Sequence, residues 1–190
     1  LEAMAHTLVV PGKGILAADE SPPTMGKRLS QIGMPNEERL RREFRETLFT
    51  ALGMEEFISG VILFDETLRQ SASDGRDMAE ILQSKGVIPG IKVDGGAHSM
   101  DSAPNEKLTA GLDGLAERCT EYYALGARFD KWRAVITIGA NLPSAACVQA
   151  NADALADYAR ISQDAGLVPI VEPEVLMDGT HSIARCYEVS

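Results

Sequence analysis

The hydrophobic positions of the chain fall into a unit that repeats. Each unit is a short apolar run with a charged residue near its end, then a loop, then an amphipathic helix. The five apolar runs are residues 14–19, 60–64, 88–94, 129–136 and 167–172. Helices are predicted between and after them, at residues 36–52, around 78–82, and at 112–125, 143–165 and 181–188. Strands that alternate with helices in this way predict a parallel sheet covered by helices.

The helix at residues 36–52 shows the pattern most clearly. Leu40, Phe44 and Leu48 recur at a spacing of four and are predicted to form its buried face. Asn36 is predicted to be its N-cap, because a side-chain oxygen there can accept a hydrogen bond from a free backbone N–H.

The apolar pattern alone leaves two architectures open, a doubly wound sheet and a (β/α)₈ barrel. Side chains at i and i+2 share a face of a strand, which places three charged pairs on common faces. These pairs are Lys92 with Asp94, Lys131 with Arg133, and Glu172 with Glu174. A doubly wound sheet has helices on both faces, whereas the C-terminal mouth of a barrel accommodates inward charges. The prediction is therefore an α/β fold, a (β/α)₈ TIM barrel with about five βα units, in one domain spanning residues 1–190.

The charged strand ends also predict chemistry. Solvated strand ends are the simpler interpretation, and it suits Asp65 and Glu66 best. The other charges balance, with three cations against three carboxylates, and buried charges persist when they are paired. Neighbouring cations favour an unprotonated, nucleophilic lysine, and carboxylates transfer protons. The set suits Schiff-base chemistry on a phosphorylated sugar; its members are Lys92, Lys131, Arg133, Asp19, Glu172 and Glu174.

The loop after the first strand adds a candidate phosphate site. Ser21 and Thr24 supply hydroxyls, and Lys27 and Arg28 supply positive charge. The alternative is the start of a helix whose two cations lie in solvent.

Composition excludes several functions. The chain carries 18 Lys and Arg against 28 Asp and Glu, a net charge of −10, which argues against nucleic acid or an anionic membrane as partner. No apolar run approaches the ~20 residues that a membrane span needs. The three cysteines are far apart and predict reduced thiols in an intracellular protein. The three histidines are equally scattered, which argues against a zinc or iron enzyme built on a histidine cluster. Neither a metal nor a cofactor is expected.

Six segments closely resemble class I fructose-1,6-bisphosphate aldolases, in particular their plastid and bacterial branch. They occur in the family's order and are residues 12–21 (GKGILAADES), 60–68 (GVILFDETL), 89–94 (PGIKVD), 111–115 (GLDGL), 131–133 (KWR) and 168–174 (VPIVEPE). The resemblance implies a barrel enzyme of glycolysis, gluconeogenesis or the Calvin cycle. It also implies a homotetramer without a metal, in the cytoplasm or alternatively in the plastid stroma.

The resemblance further implies a role for each matched residue. Asp19 would hold the substrate hydroxyl that loses its proton during C–C cleavage, and Glu172 would be the general acid and base. Lys131 would assist proton transfer, and Glu174 would position the lysines. The remaining residues would bind substrate and its C6 phosphate; they are Lys92, Arg133, Ser21, Thr24, Lys27 and Arg28. Gly95 stands where the family often has lysine.

The family's Schiff-base lysine lies on the sixth strand, and no lysine follows Lys131 in this sequence. Strands six to eight are therefore expected to lie outside these residues, which would be the N-terminal part of an aldolase. Two alternatives remain. The first is a catalytically incomplete fragment that acts as a binding or assembly module. The second is an enzyme in which Lys131 itself forms the imine.

Overall fold

The computed structural model describes all 190 residues, which form seven strands and nine helices. The strands are β1 (Gly14–Ala18), β2 (Ile58–Leu63), β3 (Ile88–Lys92), β4 (Ala97–Met100), β5 (Ala103–Thr109), β6 (Phe129–Ile136) and β7 (Val168–Val175). The helices are α1 (Glu2–Leu8), α2 (Pro22–Gln31), α3 (Glu38–Thr50), α4 (Met54–Phe57), α5 (Asp65–Leu68), α6 (Met78–Ser84), α7 (Leu115–Ala124), α8 (Ala145–Asp164) and α9 (Ile183–Val189). No helix has the length and apolarity needed to cross a membrane.

Five strands form one parallel sheet in the order β1-β2-β3-β6-β7. The sheet curls into a half-barrel, a partial TIM barrel, as the sequence predicted. Each sheet strand therefore pairs with the next sheet strand along the chain, which excludes the reversal of strand order that marks a doubly wound sheet. The polar hairpin of β4 and β5 was not predicted; it lies between β3 and α7.

Helix α3 corrects the predicted burial pattern. It begins after Glu37, and Asn36 does not cap it. Phe44 is 38% exposed, whereas Arg45 beside it is fully buried. Two nitrogens of its guanidinium are paired, one with the Thr67 hydroxyl and one with the carbonyl of Glu20, whereas Nε has no partner. The predicted face holds for Leu40, which is buried, and for Leu48, which packs against the core, and it fails at Phe44.

The concave face of the half-barrel changes from apolar to charged along the strands. Near the strand starts, Leu8 of α1 packs with Ile62 and Phe129 and closes this end of the half-barrel. Further along the same faces, Phe129 is followed by Lys131 and Arg133. The larger core lies on the other side of the sheet, beneath the helices. The alternation of strand side chains thus separates a packing face from a face that can carry chemistry.

Gly90 in β3 provides space for the Phe129 ring, because a Cβ at residue 90 would overlap the ring atoms. We expect Gly90→Ala to lower the free energy of unfolding by about 1–3 kcal/mol, the usual effect of overpacking a core. Gly14→Ala is the matched control, since a Cβ at Gly14 meets nothing within 4 Å. Urea unfolding followed by circular dichroism compares the variants. Equal stability of the two would contradict this packing.

A fully buried carboxylate, Asp130, lies on the helix-facing side of β6. It accepts hydrogen bonds from the Tyr158 hydroxyl at 2.7 Å and from the Ser162 hydroxyl at 2.6 Å, and Cys119 Sγ lies 3.7 Å away. Burial raises the pKa of Asp130 from 3.8 to about 6, although these donors oppose the shift. The same burial, together with the Asp130 charge, raises the pKa of the Cys119 thiol to about 12.

Asp130 makes stability depend on pH. Because its pKa is higher folded than unfolded, the folded protein binds the extra proton between about pH 4 and 6. The free energy of unfolding therefore falls as pH rises through that window, by about 3 kcal/mol in total. Asp130→Asn should remove this fall, because the amide does not titrate. Urea unfolding at a series of pH values measures the difference, and the same pH dependence in both proteins would contradict it.

Candidate active site

A cavity of about 690 Å³ opens on the concave face, at the C-terminal ends of the strands. Eight of the ten residues predicted from the sequence line it: Asp19, Ser21, Thr24, Lys92, Lys131, Arg133, Glu172 and Glu174. They come from three strands, β3, β6 and β7, from the loop after β1 and from the first turn of α2. The strand alternation that predicted their common orientation is therefore confirmed.

Lys131 lies at the centre of this set. Its Nζ is 2.7 Å from Asp19 Oδ2 and 3.4 Å from Glu172 Oε2. Asp19 is only 8% exposed, so the shorter ion pair is largely shielded from water. Glu172 Oε2 is buried, and the Lys131 ammonium is the charged group that pairs with it. One ammonium thus bridges carboxylates from opposite edges of the sheet.

The environment of Lys131 favours the charged amine. Burial lowers the pKa of Lys131, but the hydrogen bond to Asp19 and the charges of Asp19 and Glu172 outweigh burial, so its pKa is raised. The prediction that neighbouring cations produce an unprotonated lysine is wrong for this residue. Lys131 is therefore suited to donating a proton or orienting an anion, and not to attacking a carbonyl at neutral pH.

The other two cations are held by carboxylates close to them. Lys92 Nζ pairs with the side chain of Asp94 and donates to its carbonyl at 3.0 Å. Asp94 also accepts from the backbone N–H of Gly96 at 3.0 Å and of Arg133 at 3.2 Å. The guanidinium of Arg133 pairs with Glu174. Because each cation has an acidic partner, a phosphate must compete with that partner to bind.

The loop after β1 only partly matches its prediction. Ser21 and Thr24 line the cavity, and their hydroxyls are 3.2 Å apart at the start of α2. Lys27 and Arg28 do not line it; both are exposed on α2, and Arg28 pairs with Glu20. The alternative interpretation, a helix start with solvent-exposed cations, describes these two residues.

Seven lining residues were not predicted as site residues: Glu20, Phe64, Asp94, Gly95, Gly96, Ala97 and Val135. The i, i+2 rule had placed Asp94 beside Lys92, so a signal for it was present. Glu20 and Asp94 make the cavity acidic, with five carboxylates against three cations, instead of the balance expected.

Asp65 and Glu66 lie outside the cavity, but they are not simply solvated. Asp65 accepts a hydrogen bond from Tyr122 at 2.9 Å, and Glu66 pairs with Arg41 at 2.6 Å. These contacts attach α5 to α7 and α3. Nowhere in the structure are three or more histidine, cysteine, aspartate or glutamate side chains grouped as a metal site requires.

The structure resembles an aldolase from Plasmodium falciparum, which was crystallised with TRAP and a small-molecule inhibitor. The two superpose with a TM-score of 0.96 at 49% identity, covering 98% of this chain and 55% of that one. The sequence is 54% identical over 190 residues to a probable fructose-bisphosphate aldolase class 1 of Xanthomonas axonopodis pv. citri and to fructose-bisphosphate aldolase 6, cytosolic, of Arabidopsis thaliana. Both matches cover all of this chain; they cover 57% of the Xanthomonas protein and 53% of the Arabidopsis protein.

The chain therefore spans about half the length of the relatives that it matches. A sequence model of the class-I fructose-bisphosphate aldolases matches residues 1–190. The chain belongs to the class-I fructose-bisphosphate aldolase family.

Proposed function

We propose that these residues are the N-terminal part of a fructose-bisphosphate aldolase. It would reversibly cleave fructose 1,6-bisphosphate to dihydroxyacetone phosphate and glyceraldehyde 3-phosphate through a lysine Schiff base. The observation that supports this most is the Asp19–Lys131–Glu172 cluster on the concave face of a half-barrel. The nucleophilic lysine would lie on a sixth strand, beyond residue 190. We call the longer polypeptide that would carry both parts the full-length protein.

The position of each residue in the cavity gives it a separate role in the reaction. Asp19 takes the proton of the substrate hydroxyl during C–C cleavage, and the charged Lys131 compensates the change. Glu172, whose buried Oε2 lies 3.4 Å from Lys131 Nζ, carries protons to and from the carbinolamine. Lys92 and Arg133 bind the C6 phosphate after exchanging Asp94 and Glu174 for it, and Ser21 and Thr24 supply hydroxyls beside it.

The setting of the enzyme is also part of the proposal. A cytoplasmic location is supported by plant relatives named as cytosolic or cytoplasmic isozymes. The plastid stroma is the alternative, and it would place the enzyme in the Calvin cycle instead of glycolysis and gluconeogenesis. A homotetramer is proposed from the family resemblance.

Intact mass spectrometry tests the proposed reaction. The full-length protein is incubated with dihydroxyacetone phosphate and borohydride, with and without EDTA. We expect one reduced adduct per chain in both samples, because an imine traps the ketone and needs no metal. Borohydride without the ketone is the control. No adduct on a folded full-length protein would overturn the proposal.

The mechanism in which Lys131 forms the imine makes a different prediction. Since Lys131 is held charged between two carboxylates, we expect Lys131→Met to keep the trapped adduct while lowering the rate of cleavage. Adduct mass and the cleavage rate are measured on the same preparation. Lys27→Met, on the exposed surface of α2, is the matched control. Complete loss of the adduct in Lys131→Met alone would favour Lys131 as nucleophile.

The second candidate function is a binding or assembly module. It is supported by the apolar groove between α8 and β7, whose lining includes Ile136, Leu155 and Val171. Val171 is 45% exposed there, and β7 is an edge strand. Circular dichroism and size exclusion of the 190-residue chain test this candidate. A stable monomer or defined complex would support it, whereas a molten or aggregating chain would count against it.

A further inference from the structure

Asp130 immediately precedes Lys131 in β6, and the proposed reaction does not use it. Successive side chains of a strand point to opposite faces, so Asp130 faces the helices while Lys131 faces the cavity. Trp132, on the other side of Lys131 in the sequence, also faces the helices and is fully buried. The position of Lys131 therefore depends on how residues 130 and 132 are held.

Both neighbours of Lys131 are held by one residue of α8. The Tyr158 hydroxyl donates to Asp130 Oδ1 at 2.7 Å, and the Tyr158 ring stacks on Trp132 with centroids 5.4 Å apart. The hydroxyl of Ser162, one turn later, reaches the second oxygen of Asp130. From α7, Cys119 contacts that same oxygen. The carboxylate thus has donors from two helices and lies with no exposed surface.

The same contacts extend to β7, which carries Glu172. The Tyr158 hydroxyl lies 3.2 Å from the carbonyl oxygen of Ile170, two residues before Glu172. Asp130 pairs in register with Pro169, the residue before Ile170. The Tyr158 hydroxyl therefore contacts β6 and β7 at the same level of the sheet.

We infer that Asp130, through Tyr158, is a positioning residue that fixes Lys131 against Asp19 and Glu172. The inference rests on the proposed function only for its effect on catalysis. A buried carboxylate that is ionised at neutral pH lowers stability, and such a group is commonly retained where it serves a site. Because Asp130 touches neither the cavity nor a substrate, it acts through the placement of β6 and β7.

Chemical labelling of the amines tests the placement without relying on activity. The full-length protein is treated with acetic anhydride at pH 8, and acetylation at Lys131 and Lys92 is quantified by peptide mass spectrometry. The ratio of the two rates separates a local effect from general loosening, because Lys92 lies on β3 with its own partner, Asp94. We expect Asp130→Asn to raise the Lys131 to Lys92 ratio at least fivefold.

Two further variants keep the test decisive. Tyr158→Phe removes only the shared hydroxyl and should raise the ratio in the same direction. Glu106→Gln is the control, because Glu106 is another buried carboxylate and accepts its hydrogen bonds from Ser144 instead of from Tyr158 or Ser162; its ratio should stay within twofold of the native value. Ratios within twofold of native for both Asp130→Asn and Tyr158→Phe would overturn the inference.

Kinetics of the same proteins separates this inference from the proposed function. In an active aldolase, Asp130→Asn should lower kcat for fructose 1,6-bisphosphate about tenfold and leave KM within threefold, because Lys92 and Arg133 still bind the phosphate. If the native protein cleaves nothing but the labelling ratio rises, the proposed function fails and the positioning role stands. If the native protein is active and the ratios do not move, the positioning role fails alone.

Discussion

Asp19→Asn in the full-length protein should lower kcat for cleavage of fructose 1,6-bisphosphate by about 10²–10⁴-fold, the usual contribution of a general base. Asparagine has nearly the same shape and can still accept a hydrogen bond, but it cannot take the hydroxyl proton. It also removes the charge 2.7 Å from Lys131. Adduct formation with dihydroxyacetone phosphate should persist, because that half-reaction breaks no C–C bond.

Steady-state cleavage and borohydride trapping check the Asp19 prediction on one preparation. Asp65→Asn is the matched control, since Asp65 follows β2 but contacts Tyr122 and Arg69 outside the cavity. Its kcat should stay within about threefold of native. A native-like kcat in Asp19→Asn would contradict the role of Asp19 as the base.

Glu172→Gln should also lower kcat by about 10²–10⁴-fold, but through a different step. The buried Oε2 of Glu172 lies 3.4 Å from Lys131 Nζ. Glutamine cannot relay protons to the carbinolamine, so formation of the imine itself should become slow. The rate of adduct trapping should therefore fall in Glu172→Gln and remain near native in Asp19→Asn.

Rapid quenching with borohydride at a series of times measures the Glu172 prediction. Glu188→Gln, in the exposed α9, controls for the substitution. Native trapping rates in Glu172→Gln together with slow trapping in Asp19→Asn would reverse the two assignments.

The sheet and most of the site followed from the sequence because both depend on a short-range rule. Alternation along a strand fixes which side chains share a face, and the change from Phe129 to Lys131 and Arg133 on one face marks the end that carries chemistry. The residue types on that face then indicated that its cations would pair with its carboxylates. The apolar runs gave the strand order only after the charges had excluded a doubly wound sheet.

The remaining features depend on tertiary partners that spacing does not reveal. Arg45 is buried because Thr67 and Glu20 accept its hydrogen bonds, which displaces Phe44 to the surface. Asp130 interrupts the apolar face of β6 and is accommodated by donors 28 and 32 residues away. The hairpin of β4 and β5 has a polar sequence without a regular alternation.

The direction in which the pKa of Lys131 is shifted could not be predicted from its neighbours in the sequence. Its sequence neighbour Arg133 suggested repulsion between cations, but Arg133 is paired with Glu174 instead. The groups nearest to Lys131 are carboxylates from β7 and from the residue after β1. Which charges lie closest is determined by the curl of the sheet, and this reverses the expected effect.

Locating the trapped imine tests the central claim, that the concave face supplies acid–base groups to a nucleophile elsewhere. The full-length protein is reduced with borohydride in the presence of dihydroxyacetone phosphate, digested and sequenced by mass spectrometry. We expect the adduct on one lysine C-terminal to residue 190 and expect Lys131 to be unmodified. An adduct on Lys131 or Lys92 would contradict it.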